Sequence, residues 1–271
     1  MNIFKTTALA VMKQPFILIL IGVLMLLAAI VNAVIPVMAM IIGIVNLTGG
    51  GIFESVLSVL QMLIDPGILP TLLILLAVVT VLASIAAGLL LPGYLLVVDD
   101  GIKKEAKKLG LFKQGLKSYF FRFFLITIKV LLCTVFFAAF LMVASVPAII
   151  VSRAALTTKP DLMIGAVFID IVTVGVLFMC LSFFRAYVYM WFVAASKGEK
   201  KPFVVGKAAA DRQFWSMAFC LLAFDLAFAV VLFFIYTSGS QLFRYTAGWA
   251  FTTVFFTVLA VYLVNTYRRQ T

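Results

Sequence analysis

Long apolar runs separated by short polar connections organise this chain. Runs at 15–45, 68–98, 119–150, 162–195, 214–237 and 247–266 all reach the roughly 20 residues that a helix rising about 1.5 Å per residue needs to cross a hydrocarbon core about 30 Å thick. The pattern predicts an all-α polytopic membrane protein, one membrane domain with six transmembrane helices. The first four runs would each be roughly 45 Å or more as ideal helix, so they must tilt, kink or project beyond the bilayer. Pro36, Pro92 and Pro147 are the natural places for a break.

The first connection departs from this pattern. After Gly49, Gly50 and Gly51, residues Glu54, Ser58, Gln61 and Asp65 fall at i, i+4, i+7 and i+11, while Phe53, Val56, Leu57, Leu60, Leu63 and Ile64 fill the other face. That spacing predicts an amphipathic helix over 52–65, either lying at the outer interface or folded over an outward cavity as a lid.

Before three of the runs one motif returns. FKTTALAVMKQPF at 4–16, FKQGLKSYFFRFF at 112–124 and FVVGKAAADRQFW at 203–215 each open on an aromatic and close on another twelve residues later. Similarity recurring in this way marks a repeat architecture. It predicts three pseudo-repeated helical hairpins, about 1–102, 103–198 and 199–271, each entered through a basic amphipathic segment. The interface rules alone, which gather Lys, small residues and aromatics at the ends of spans, would also produce such motifs.

Composition fixes the solvent and the sidedness. The chain is 65% hydrophobic and 11% charged with mean hydropathy +1.24, against roughly 25% charged in soluble domains. A net charge of +11 would suit nucleic acid, but the cations sit in the connections. Lys5 and Lys13 precede the first run, six lysines occupy 99–118, and Lys197, Lys200, Lys201, Lys207 and Arg212 lie in the fourth connection, with Arg268 and Arg269 in the tail. The first connection carries Glu54 and Asp65 and no Lys or Arg; the third holds Arg153 and Lys159, the fifth Arg244. Positive residues concentrate on the cytoplasmic side, so both termini are expected in the cytoplasm, the chain in the cell membrane, and nucleic acid is not an expected partner.

The residues present exclude several chemistries. With no His anywhere, imidazole metal sites and Ser-His-Asp triads are ruled out. Cys133, Cys180 and Cys220 lie in apolar runs without CxxC spacing, which gives no disulfide framework or zinc site, and no phosphate-binding glycine loop is present. No metal, cofactor or enzymatic activity is expected. The adjacent pair Asp99 and Asp100, followed by Lys103 and Lys104, reads either as a helix terminator with local ion pairing or as a divalent-ion or headgroup site.

Two groups of charges are candidate sites. Lys103, Lys104, Lys107, Lys108, Lys113 and Lys117 have helical spacing, with Leu109, Leu111, Phe112 and Leu116 as the apolar complement. Such a helix would lie on the inner leaflet, in contact with the lipid bilayer's anionic headgroups or with a partner subunit. Inside the apolar runs, Lys129, Arg185 and Asp225 share a depth, and Asp170 lies fifteen residues before Arg185 on nearly the same helix face. Charges there are costly and need a partner or a cavity. Arg185 is expected to face Asp225, with Lys129 joining them or snorkelling inward, as a structural ion pair or as a polar site on a substrate or proton path. Ala29 with Ala33, and Ala83 with Ala87, have the four-residue spacing that permits close helix contact.

The stretches PGYLLVVDDGIKKEAKKLGLFKQGLKSYFFRFF at 92–124 and AYVYMWFVAASKGEKKPFVVGKAAADRQFW at 186–215 resemble the YesL-like integral membrane proteins of mainly Gram-positive bacteria. The shared features are a Pro- or Gly-marked helix end, a short charged turn and an aromatic-led entry into the next span. The resemblance implies a polytopic protein associated with carbohydrate uptake systems and without an established activity. The functional expectation is an accessory or component of a small-molecule transport or envelope system; the alternative is a stand-alone transporter or solute-binding subunit with a cavity between the hairpins.

Overall fold

The computed structural model describes residues 3–34, 65–103, 106, 108–157 and 160–269. These residues form helices α1 (Ile3–Lys13), α2 (Phe16–Val34), α3 (Leu69–Ile102), α4 (Leu111–Thr157), α5 (Met163–Ser196), α6 (Pro202–Arg212), α7 (Phe214–Thr237) and α8 (Gln241–Arg268), with one 3-10 turn at Pro160–Leu162. The described residues are all-helical without strands. Five helices, α3, α4, α5, α7 and α8, are long and apolar enough to cross a membrane. The pair α1 and α2, bent by 95° at its break, makes a sixth if counted as one span. This is a multi-pass membrane protein. Phe136 on α4 is 76% exposed and Ile164 on α5 86%, as helices facing lipid rather than a protein core require.

The chain divides into two compact units. Among the described residues, one comprises those within 3–34, 84–127 and 182–269, the other those within 65–83 and 128–181. In the first, the C-terminal half of α8 forms the centre, with Val261, Val264 and Tyr267 almost fully buried. Trp249 Nε1 donates to the Gly22 carbonyl at 2.8 Å and ties α8 to α2. In the second unit, Ala148, Ala155 and Ala166 are buried, and Ser152 Oγ donates to Asp170 at 2.7 Å.

Several elements differ from the sequence expectation. Pro92 and Pro147 sit inside unbroken helices; a bilayer makes a broken helix so costly that neighbouring groups absorb the lost hydrogen bond instead. Pro36 and the amphipathic segment 52–64 lie outside the described residues. Arg153 and Arg244, expected in connections, belong to α4 and α8. The lysine series 103–117 does not form one helix: α3 ends at Ile102, α4 begins at Leu111, and Gly110 between them takes φ +74°, a left-handed turn that glycine adopts at no steric cost.

The three motif copies are built differently. Copies one and three are helix, break, helix, with the breaks at Gln14 and Gln213, the same motif position, whereas copy two runs straight into α4. Pro15 explains the first break. The opening aromatics also differ, since Phe4 is 67% exposed, Phe112 packs edge-on against Phe16 and Phe203 packs against Trp191. What the copies share is a buried small or short residue three positions after the aromatic: Thr7, Gly115 and Gly206.

Backbone contact explains the two glycines. A Cβ on Gly115 would stand 2.7 Å from Gly93 Cα and 2.9 Å from the Pro92 carbonyl oxygen, and one on Gly206 2.8 Å from the Met190 carbonyl oxygen. Each entry helix therefore lies directly on the preceding span's backbone. Along α3 the contact stripe is Ser84, Gly88 and Gly93 rather than Ala83 and Ala87; a Cβ on Gly88 would meet the Phe120 ring at 3.1 Å. Likewise Ala29 is exposed, and the small residue against α8 is Gly22. Gly115→Leu should therefore destabilise the protein by more than the roughly 1–3 kcal/mol typical of overpacking, because the obstruction is backbone. Gly165→Leu, with open space around it, should change little. Thermal melting of the two variants in detergent checks this; equal melting temperatures would contradict the contact.

Candidate functional site

At one end of the first unit, two adjacent carboxylates are buried in the last turns of α3. Asp99 is 5% exposed and Asp100 3%. Leaving such groups unpaired in a low-dielectric interior would cost several kcal/mol each, and the surrounding segments supply cations. Asp99 meets Lys103 one turn on at 3.0 Å, Lys197 just beyond α5, and Arg268 Nε in the last turn of α8 at 3.6 Å. Asp100 takes a hydrogen bond from Gln14 Nε2 at 2.8 Å and has Lys13 Nζ at 3.3 Å. Gln14 and Lys13 stand at and just before the α1–α2 break. The pair does stand in the last turn of α3, which ends at Ile102, and Asp99 does pair locally with Lys103; what the sequence did not show is that most of its partners are distant in sequence.

Local sequence explains why the cations arrive there. Gly198 takes φ +80° and its N–H bonds to the Ala195 carbonyl, a glycine helix end that turns the chain after Lys197. Pro202 then opens α6 with a fixed φ. Lys13 also donates to the backbone carbonyls of Asp100 and Lys103, at and just past the end of α3. Ala10 lies against Gly101, where an added Cβ would meet the Ala10 carbonyl oxygen at 3.1 Å. So α1 is held on the end of α3 by shape as well as charge. Burial holds the Lys197 ammonium below the usual lysine range; Asp99 opposes that shift, and the like charges of Lys103 and Arg268 add to it.

Around this buried centre the same end is basic on its exterior. Lys5, Lys113, Lys117, Lys200, Lys201, Lys207 and Arg269 are exposed. Arg122 reaches across to the Glu199 carbonyl at 3.2 Å. Of the lysines expected to meet lipid or a partner, Lys103 is engaged with Asp99, the Lys108 carbonyl accepts from Gln14, Lys113 and Lys117 are exposed, and Lys104 and Lys107 lie outside the described residues.

A second charged centre lies along the spans. Arg185 is eleven residues before the end of α5 and Asp225 eleven after the start of α7, so both are about 16 Å along their helices from the basic end. They meet as a two-pronged pair, Nη1 to Oδ1 at 2.8 Å and Nη2 to Oδ2 at 2.6 Å. Tyr189 lies beneath the guanidinium, 5.9 Å from its ring centre. About a third of each side chain is uncovered, 31% and 39%. Lys129 and Asp170 belong to the other unit, where Asp170 is bonded to Ser152. Sequence depth alone matched Arg185 with Asp225. The joining of Asp99 by Lys197 and Arg268 had no such signal beyond a basic residue at each helix end. Among the described residues, no group of His, Cys, Asp and Glu is placed to hold a metal ion.

No protein family, curated protein or solved structure matches the chain.

Asp99 and Asp100 carry unequal burdens, and their variants should separate. Asp99→Asn leaves three cations around a neutral group and should cost about 3–5 kcal/mol, the scale of a broken buried ion pair. Asp100→Asn removes one cation's partner and should cost less. Accumulation in the membrane and melting temperature in detergent check the order, and an Asp100 variant worse than the Asp99 variant would contradict it. For the span pair, Arg185→Asp should lower accumulation and Arg185→Asp with Asp225→Arg should restore part of it. A harmless single change would remove the pairing from the account of folding.

Proposed function

We propose that this chain is a non-enzymatic integral membrane protein serving as an accessory or component of a small-molecule transport or envelope system. It works from the cell membrane, with both termini and the basic end in the cytoplasm. One observation carries the reading: α1, held by an ion pair and close contact, and α6 and the start of α4, held by backbone contact, form a basic platform on the end of the spans. A platform of this kind suits anionic lipid and a partner subunit. The YesL-like resemblance of 92–124 and 186–215, which include α6 and the start of α4, points the same way.

A second reading, a stand-alone transporter or solute-binding subunit, is favoured by Arg185 and Asp225. An ion pair midway along two spans with a third of each side chain uncovered is where a polar solute would exchange partners.

Two measurements test these readings. In a background with Cys133, Cys180 and Cys220 replaced by Ser, Gly239→Cys should react with an impermeant maleimide in intact cells, and Gln114→Cys only after permeabilisation; the reverse would invert the orientation. Purification in mild detergent should bring down a stoichiometric membrane or cytoplasmic partner. A protein that purifies alone, with a bound solute lost in Arg185→Gln, would favour the transporter.

A further inference from the structure

We infer that Lys103 and Arg268, beside Asp99, form a binding site for the phosphate of an anionic phospholipid headgroup from the leaflet at the basic end. Three cations, Lys103, Lys197 and Arg268, converge on the one carboxylate of Asp99, while Asp100 is engaged by Lys13. The centre is therefore cationic in excess. Helix ends take up part of that excess, since α3, α5 and α8 all finish there with their negative dipole ends. Lys13 spends its donors on Asp100 and on the carbonyls of Asp100 and Lys103.

Two groups retain capacity for a further anion. Arg268 approaches Asp99 with Nε at 3.6 Å, beyond hydrogen-bond length, although a guanidinium carries five donors in a planar fork that fits phosphate oxygens. Lys103 and Arg268 both keep about a third of their side chains uncovered, 35% and 33%, whereas Lys197 keeps 21%. They stand at the ends of apolar helices long enough to cross the bilayer, which is where lipid phosphates lie. A phosphate bound there would face the two uncovered cations and leave Asp99 to Lys197. The exposed Lys113 and Lys117 differ, for they offer only diffuse attraction.

The inference depends on the proposed function only in naming the leaflet; the following test reads no transport, partner or orientation, so the two can fail separately. Purified full-length protein in dodecyl maltoside is titrated with phosphatidylglycerol, phosphatidylcholine or inorganic phosphate, and melting temperature and lipids retained in native mass spectrometry are recorded. Phosphatidylglycerol should raise the melting temperature by several degrees and phosphatidylcholine should not. Lys103→Gln with Arg268→Gln should lose at least half of that rise and the retained lipid, and Lys113→Gln with Lys117→Gln should keep both. If the double variant does not accumulate, Arg268→Gln compared with Arg268→Lys gives the same contrast, the lysine retaining more of the response. Equal stabilisation by phosphatidylcholine, equal stabilisation by inorganic phosphate, or a loss that follows Lys113 and Lys117 would each overturn the site.

Discussion

Two carboxylates buried side by side at the end of α3 constrain the whole basic end of the first unit. A carboxylate taken out of water is tolerated only when cations and hydrogen-bond donors replace its hydration, and the chain next to α3 supplies Lys103 alone. The rest must come from elsewhere: Lys13 and Gln14 from the α1–α2 break, Lys197 from the end of α5, and Arg268 from the end of α8. Each of these segments is thereby fixed relative to α3 at one point. A buried ionic centre is weak evidence of net stability, because well-packed apolar groups of the same volume often do as well. Its contribution here is to specify which helix ends meet, a task that apolar helix surfaces in lipid cannot perform.

Shape carries what charge does not. Lipid tails compete with side chains for apolar contact, so helices in a bilayer associate where small residues let backbones approach. Gly88, Gly93 and Gly115 do this between α3 and α4, and Gly206 between α6 and α5. These contacts lie in the first unit, near the ionic centre that fixes the helix ends. Ion pairs without the glycines would hold the ends of separated rods; the glycines without the ion pairs would allow the helices to slide.

The spans were legible because hydropathy in lipid is a strong constraint; α5 begins at Met163 and α7 matches 214–237, close to the apolar runs. Arg185 and Asp225 were legible for a related reason, since a charge in an apolar run must find another at its own depth. The lysine series at 103–117 misled because helical spacing says nothing about where a glycine turns the chain, and Gly110 turns it between Lys108 and Lys113. Small-residue spacing misled by one residue on α3, because Ala83, Ser84, Ala87 and Gly88 all satisfy the rule and only the partner helix decides between the two stripes. Asp99 and Asp100 were visible as a pair but not as a centre: adjacency in sequence reveals the acids, while most of the cations that neutralise them lie about ninety residues or more away on either side.

The pair within the spans does a different job from the centre at their end. At the basic end one carboxylate serves several cations. Arg185 and Asp225 have a single two-pronged geometry, and planar pairing of that kind tolerates little displacement. Sliding α5 past α7 by one turn, about 5.4 Å, would separate the charges and leave each in a medium where isolation is costly. The pair therefore acts as a register key between α5 and α7, beside the aromatic contacts of Phe183 and Tyr187 with Phe214.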